Sequence, residues 1–272
     1  MDGSELDRQG SERVANILQQ KTSFFWDHSP RDSWAGFSEA DLNTLVGKIA
    51  QIIGITETEA ARITILFADD RTPIVNNEKM ITPAICLPGQ DAAGRYDQAY
   101  VLINRSKEVV THTMGTRDIV NKEKKGIYQT SGVIYENSEE ERLECELENP
   151  FEVIVSLIAE ELKHAQVFLR ARDPEKMSQW EQKYLAVLQR KGFVSSDLYD
   201  VSLQEVTASR VTAQVLEVLL RDQSPARCQY FRDLRQQSKT LGRSIVPTLS
   251  DKVIDETFIE TGFDPKSVKA EN

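Results

Sequence analysis

The chain has 272 residues, of which 40% are hydrophobic and 28% are charged, so it is long enough to bury one large or two small cores. Its formal net charge of −10, with no long cluster of Lys and Arg, argues against nucleic acid as the main partner. No apolar stretch reaches membrane-spanning length and no signal peptide is visible in the polar N-terminus, so no membrane partner is expected.

The three cysteines indicate the redox environment in which the protein is expected to reside. Cys86, Cys145 and Cys228 are far apart in the chain, odd in number, and form no C-x-x-C pair. Such spacing indicates reduced thiols and is not typical of a disulfide framework or a thiolate zinc site. We therefore expect a soluble, cytoplasmic protein.

Residues 1–37 begin with a polar stretch and continue with several aromatic residues. We interpret them as an N-terminal arm that packs its aromatic side chains onto the domain, with a partner-binding segment as the alternative. A helix start follows at residues 38–41, which read Ser-Glu-Ala-Asp and resemble a capping box. Apolar residues then recur at helical spacing, and Gly54 is expected to end this helix.

The middle of the chain is rich in β-branched and aromatic residues, which favour strands. Strands are predicted at residues 63–67, 84–87, 99–103 and 132–135. Residues 106–126 show no clear period and are interpreted as an insertion. The acidic stretch over residues 136–148 is expected to be solvated.

After Pro150 the apolar residues recur at helical spacing. Helices are predicted at residues 151–170, 174–191, 203–221 and 227–239. A helix, then strands, then helices is the order typical of an α+β fold. The chain is accordingly divided into the arm at 1–37, a main domain at 38–222, and a C-terminal helix with a polar tail at 223–272.

The predicted helix at 151–170 contains the most informative motif, since residues 160–164 read Glu-Glu-Leu-Lys-His. One narrow arc of this helix is polar and is interpreted as its solvent-facing side: Glu152, Ser156, Lys163 and Arg170. The opposite arc is apolar, and Glu160, Glu161 and His164 lie on a flank between the two. Burying an ionised carboxylate is costly without a compensating metal or partner, so this flank is the candidate site.

The motif resembles that of the zincin metallopeptidases, in which His-Glu-x-x-His places two metal-binding imidazoles on one helix and uses the Glu to polarise a metal-bound water. Here Glu160 stands at the first His position, whereas Glu161 and His164 match the pattern. In the gluzincin branch the third ligand is a Glu on a later helix, in a Glu-x-x-Ala setting. Residues 205–208 of this chain read Glu-Val-Thr-Ala.

Other matches occur in the order typical of small gluzincin domains, of the minigluzincin type. Residues 93–97 and the strand ending at Asn104 resemble the Gly-x-Tyr-Asp turn and the strand that precede their active helix, and residues 161–166 resemble their Glu-Leu-Arg-His-Ala-x-Gln motif. The aromatic helix and turn before the ligand Glu have counterparts at Trp180, Tyr184, Tyr199 and Asp200. The resemblance spans residues 38–222 and implies a zincin-like fold, with a small mixed sheet packed on an active-site helix and further helices after it.

The resemblance implies that Glu160, His164 and Glu205 are metal ligands and that Glu161 is the catalytic general base. Zinc accepts carboxylate oxygens at about 2.0–2.2 Å, so such a set is able to bind it. Two carboxylates with one imidazole are harder and more anionic than two His with one Glu. They make zinc a weaker Lewis acid and shift the preference toward iron or manganese, which handicaps peptide hydrolysis.

We therefore expect a zincin-like protein with a divergent metal site, catalytically inactive or altered, that acts as a binding or regulatory module for a protein or peptide. In the extreme case of a pseudoenzyme it binds no metal. The alternative is an active metal-dependent peptidase that uses the Glu-His-Glu site. Without the family pattern, an ordinary i, i+3 side-chain pair on a helix, with Glu160 exposed at its edge, is the favoured interpretation of Glu161 and His164.

A third interpretation comes from a different class of protein. The Glu-x-x-His spacing also resembles the ligand motif of ferritin-like di-iron bundles. That fold requires a second Glu-x-x-His on another helix, and the chain's other two histidines, His28 and His112, follow Phe25 and Val109 at that spacing. The strand-rich middle of the sequence also disfavours a four-helix bundle.

Overall fold

The structure is a computed structural model that describes residues 3–21, 23–24, 37–68, 83–104, 127–130, 133–136, 147, 149–190 and 203–236. The fold is α+β, as predicted. In chain order its elements are α1 (Gly3–Lys21), β1 (Ser23–Phe24), α2 (Glu39–Ile53), α3 (Glu57–Ala60), β2 (Ile63–Ala68), β3 (Ala84–Gln90), β4 (Tyr96–Asn104), β5 (Ile127–Thr130), β6 (Val133–Glu136), α4 (Pro150–Ala171), α5 (Pro174–Arg190), α6 (Leu203–Leu220) and α7 (Pro225–Gln236). Within these residues no helix combines the length and the apolar character needed to cross a membrane.

A small mixed sheet has the strand order β1-β2-β4-β3. β2 is parallel to both β1 and β4, whereas β3 pairs antiparallel with β4 at the edge. Ile65 and Val101 are partners in register, and both are buried on the same face, as the period of two predicts for a half-buried strand. The short hairpin of β5 and β6 pairs separately. All four strands predicted from the sequence are present, with ends displaced by up to three residues.

α2 begins and ends where its sequence signals predict. The Ser38 hydroxyl accepts the Asp41 backbone N–H, and the Asp41 carboxylate in return accepts the Ser38 N–H at 2.9 Å, which forms the capping box. Gly54 ends the helix with a φ of 75°, a conformation that glycine adopts without steric cost. The predicted helices after Pro150 are also present as α4 to α7.

The helix α1 is not predicted by the sequence analysis. It packs on α2, with Val14 and Leu18 in the core. The two helices approach closely at Gly47, where an added Cβ would lie 2.7 Å from the Cβ of Ala15. The first half of the predicted arm is thus part of the folded core, while its aromatic residues at 25–34 lie outside the described residues.

α4 lies at the centre of the fold and packs against α2, α6, β3 and β4. Its N-terminus is capped by the Asn149 side chain, which accepts the Glu152 backbone N–H at 3.0 Å. At its C-terminus the sheet is attached through Tyr96, which donates its backbone N–H to the Arg172 carbonyl at 2.8 Å and packs edge-on against the Phe168 ring. These contacts fix the helix relative to the strands.

The prediction that the polar arc of α4 faces solvent is wrong, because that arc is buried. Glu152 is 0% exposed and Lys163 is 4% exposed, and Ser156 is buried as well. Arg227 of α7 compensates Glu152 by donating from Nε and Nη2 to the two carboxylate oxygens at 2.9 and 2.8 Å. Helical periodicity identified this polar arc correctly. It could not reveal that Arg227, on a helix far along the chain, pairs with Glu152 and allows it to be buried.

The rest of this arc is satisfied by the segment around the end of α2. Lys163 donates to the side-chain oxygen of Gln166 at 2.7 Å, and Gln166 donates to the Gly54 carbonyl at 3.1 Å. Arg170 forms an ion pair with Glu59 of α3 at 2.7 Å. We call Glu152, Lys163, Gln166 and Arg170 the ion-pair flank of α4.

Candidate metal centre

Three of the residues predicted from the sequence lie together between α4 and α6. Glu160, His164 and Glu205 each offer one ligand atom, and these atoms all lie within 4.8 Å of one another. The distance from His164 Nε2 to Glu205 Oε1 is 3.8 Å, and the two side chains are 11% and 27% exposed. We call these three residues the metal group. Among the residues that the structure describes, no other set of His, Cys, Asp and Glu side chains converges in this way.

The two helices place the metal group for different local reasons. Glu160 and His164 are four residues apart in the middle of α4, so their side chains lie one above the other on the same face. Glu205 is the third residue of α6, in the first helical turn. The partial positive charge at a helix N-terminus favours a carboxylate at this position. α4 and α6 pack against each other, which brings the two faces together.

The spacing of the ligand atoms in the metal group is compatible with a single divalent ion. Ligand atoms about 2.1 Å from a shared tetrahedral zinc lie about 3.4 Å from one another. To reach this spacing, the ligand atoms of His164 and Glu205 must approach each other by only about 0.4 Å. The two ligand atoms that are farthest apart must approach by no more than about 1.4 Å. Glutamate side chains have enough rotatable bonds to make such adjustments, and the Glu205 side chain is partly exposed to solvent.

Glu161, the predicted general base, does not belong to the metal group. It is 9% exposed and lies near β3, close enough to Cys86 for its charge to affect that thiol. The pKa of the Cys86 thiol is raised well above its usual value, mainly by burial and further by the negative charge of Glu161. Neighbouring residues of α4 thus face different elements, with Glu161 near the sheet edge and Glu160 near α6.

Glu181 on α5 contacts the start of α6, the helix that carries Glu205, and it is not predicted as such from the sequence. Both of its carboxylate oxygens accept the backbone N–H of Leu203, at 3.0 and 3.2 Å. Burial raises the pKa of Glu181 and the charge of nearby Glu205 raises it further, while the bond from Leu203 lowers it. A glutamate on a predicted amphipathic helix gives no sequence signal that separates this role from a solvated surface position.

The other residues that matched the gluzincin pattern in the sequence lie outside the metal group or outside the described residues. Asn104 is the buried last residue of β4, and its backbone N–H donates to the Pro83 carbonyl at 2.8 Å. Tyr184 is fully buried in α5, and Trp180 lies beneath the Lys176 ammonium group. The other residues assigned from the sequence lie outside the described residues: Tyr199, Asp200, His28 and His112.

Comparisons of the chain with protein-family models, with curated proteins and with solved structures gave no match. What the residues show by themselves is a convergent set of two carboxylates and one imidazole, held by two packed helices. Carboxylate oxygens and a neutral imidazole nitrogen are established ligands for zinc, iron and manganese.

Proposed function

We propose that this protein binds one divalent metal ion through Glu160, His164 and Glu205 on a zincin-like scaffold, and acts as a binding or regulatory module for a protein or peptide. The observation that carries the proposal is the convergence of the three ligand atoms within 4.8 Å. The resemblance to gluzincins singles out the same residues from the sequence alone. The small mixed sheet packed on α4 is compatible with that scaffold.

The donor set favours a role for the metal in binding over one in hydrolysis. Two anionic ligands donate more charge to the ion than one does, which weakens it as a Lewis acid and makes its bound water less acidic. Oxygen-rich sets also suit iron and manganese better than sites with two imidazoles do. An ion in this position links α4 to α6 and stabilises the face that the two helices form.

The second candidate is an active metal-dependent peptidase. Its specific support is Glu161, which is adjacent to Glu160 in the chain and nearly buried. In this candidate the Glu161 carboxylate accepts a proton from the attacking water, the role of a general base. A ferritin-like di-iron protein is supported less, since α4 packs on a sheet and the chain has no second Glu-x-x-His motif.

Metal binding is tested by titrating the purified chain with Mn²⁺, Fe²⁺ and Zn²⁺ and measuring bound metal by elemental analysis. We expect one equivalent in the wild type and at least about a tenfold weaker affinity in Glu205→Gln, because one anionic ligand is lost. Glu175→Gln, at an exposed position on α5, is the matched control and should bind as the wild type does. Failure of all three ions to bind would rule out the proposed function.

A gain-of-function variant tests the geometry more directly. Glu160→His restores His-Glu-x-x-His on α4 and should bind Zn²⁺ more tightly than the wild type, because zinc prefers an imidazole nitrogen to a carboxylate oxygen as a ligand. Peptide hydrolysis by the metal-loaded protein, abolished in Glu161→Gln with metal binding intact, would favour the peptidase candidate. An unchanged zinc affinity in Glu160→His would contradict the proposed placement of residue 160.

A further inference from the structure

The three proposed ligands occupy different positions in their helices. Glu160 and His164 lie in the interior of a helix of 22 residues, where backbone hydrogen bonds extend on both sides. Glu205 is the third residue of α6, and the first backbone N–H groups of a helix have no partner within it. The first turn of α6 therefore depends on contacts from outside the helix to hold Glu205 in place.

Glu181 supplies such a contact. Leu203, the first residue of α6, donates its backbone N–H to both carboxylate oxygens of Glu181, at 3.0 and 3.2 Å. The Leu203 side chain is buried, and its carbonyl accepts the Thr207 hydroxyl at 2.6 Å. Leu203 is thus fixed at its amide by α5, at its side chain by the core, and at its carbonyl by the next turn of α6.

We infer that Glu181 is a positioning residue for the metal group, which holds the first turn of α6 so that Glu205 faces His164 at a distance that one ion can bridge. This inference rests on the proposed function. Glu181 acts from α5, so it couples the placement of Glu205 to the packing of a third helix. Metal sites require their ligands to be held within about 0.5 Å, a tolerance that a frayed helical turn exceeds.

A carboxylate is suited to this role for two reasons. Its oxygens accept a hydrogen bond from a terminal helical N–H, and its negative charge lies at the positive end of α6. The two carboxylates also lie close enough for the charge of Glu205 to raise the pKa of Glu181. Glu181 nevertheless lies outside the set of three converging ligand atoms, so its contribution to the metal is through Leu203.

The inference is tested by titrating the full chain with Mn²⁺ alone and determining its dissociation constant for four variants. Glu181→Ala removes the acceptor and should weaken binding about 10- to 100-fold, the usual cost of losing a partner that orients a ligand. Glu181→Gln retains a side-chain oxygen that accepts the Leu203 N–H, and should stay within about threefold of the wild type. Glu181→Asp keeps the charge but is one methylene shorter, so it should behave like Glu181→Ala. Glu175→Ala, at an exposed position on α5, is the control.

Amide hydrogen exchange of the metal-free chain gives a second readout. The Leu203 amide should lose protection in Glu181→Ala and Glu181→Asp but not in Glu181→Gln, while the interior of α4 stays protected in all of them. If Glu181→Ala does not fold, the comparison of Glu181→Asp with Glu181→Gln decides the question.

Two results would overturn the inference and leave the metal site intact: Mn²⁺ affinity unchanged in Glu181→Ala and Glu181→Asp, or equal loss in Glu181→Gln and Glu181→Ala. If the wild type binds Zn²⁺ or Fe²⁺ but no Mn²⁺, the same variants are compared with the ion that binds. A wild-type chain that binds none of the three ions, with the Leu203 amide protected by Glu181, would instead overturn the proposed function.

Discussion

The two polar flanks of α4 are both largely buried, but they are stabilised in different ways. On the ion-pair flank, Glu152 meets the guanidinium of Arg227, and Arg170 meets the carboxylate of Glu59. In the metal group, two carboxylates instead converge with a single imidazole. Removing one partner of a buried ion pair leaves an uncompensated charge and destabilises the fold, whereas carboxylates gathered at one point favour the binding of a cation. The first arrangement is structural, and the second is a candidate for function.

The two flanks should differ most in how much a substitution in each lowers the free energy of unfolding of the metal-free protein. Arg227→Ala removes the guanidinium from a carboxylate that is 0% exposed, so it should lower the free energy of unfolding by about 3–5 kcal/mol. Glu160→Gln, in the metal group, removes one of two converging negative charges and should cost less than about 1 kcal/mol. Urea denaturation of the metal-free proteins measures both values, with Arg221→Ala at an exposed position as the control. Equal losses in the two variants would mean that the metal group is a structural cluster.

The ion-pair flank should also have its own pH dependence. The pKa of Lys163 is lowered from 10.5 to about 8, mainly by burial and also by the positive charge of Arg170, against the attraction of Glu59. Between these two pH values the unfolded chain binds more protons than the folded chain, so the stability of the folded state rises with pH. Below about pH 8 the lysine is charged in both states, and the penalty for burying it is fully present.

Comparison with Lys163→Met isolates this contribution. From about pH 8 to 10.5 the wild type should gain on the order of 3 kcal/mol relative to the variant, as measured by chemical denaturation at each pH. Lys48→Met replaces an exposed lysine of α2 and should follow the wild-type curve in parallel. If Lys163→Met also runs parallel to the wild type, Lys163 does not titrate in this range.

Metal should stabilise the protein through one flank only. At an ion concentration 100 times the dissociation constant, the wild type should gain about 2.7 kcal/mol in free energy of unfolding. Arg170→Gln, on the ion-pair flank, should be less stable than the wild type without metal and still show the same gain. Glu205→Gln should lose the gain. Thermal or urea denaturation with and without Mn²⁺ measures these differences, and a loss of the gain in Arg170→Gln would show that the two flanks are coupled.

Most of the fold is predictable because its signals are local. The Ser38 cap and Gly54 determine the ends of α2 within a few residues of sequence, and the branched residues of β2 and β4 identify strands without knowledge of their partners. α1 was not predicted because Val14 and Leu18, which are buried among its described side chains, stand in a polar stretch of sequence. Its packing depends on the close approach to α2, which no local pattern reveals.

The residues of the candidate site likewise differ in whether their positions follow from local sequence signals. The spacing of Glu160 and His164 is local and fixes their shared face, whereas Glu205 was selected only through the resemblance to gluzincins. The burial of Glu152 depends on Arg227, 75 residues away, so the periodicity of one helix assigned the wrong environment to it. Glu181 was missed for a similar reason, because it accepts a hydrogen bond from a residue on another helix. Sequence patterns describe one element at a time, and these contacts join two.

The smallest expected effect concerns the C-terminus of α4, where both flanks end. Arg172 has a φ of 60°, and a left-handed conformation costs a non-glycine residue about 1–2 kcal/mol. Arg172→Gly relieves this strain and should stabilise the protein by about 0.5–1 kcal/mol, since the greater freedom of glycine in the unfolded chain offsets part of the gain. Arg172→Ala removes the same positive charge near Arg62 but keeps the Cβ, so the difference between the two variants isolates the backbone. Because this strain lies beyond both polar flanks, the Gly variant should leave Mn²⁺ affinity unchanged; a weaker affinity would show that the end of α4 also orients the metal group.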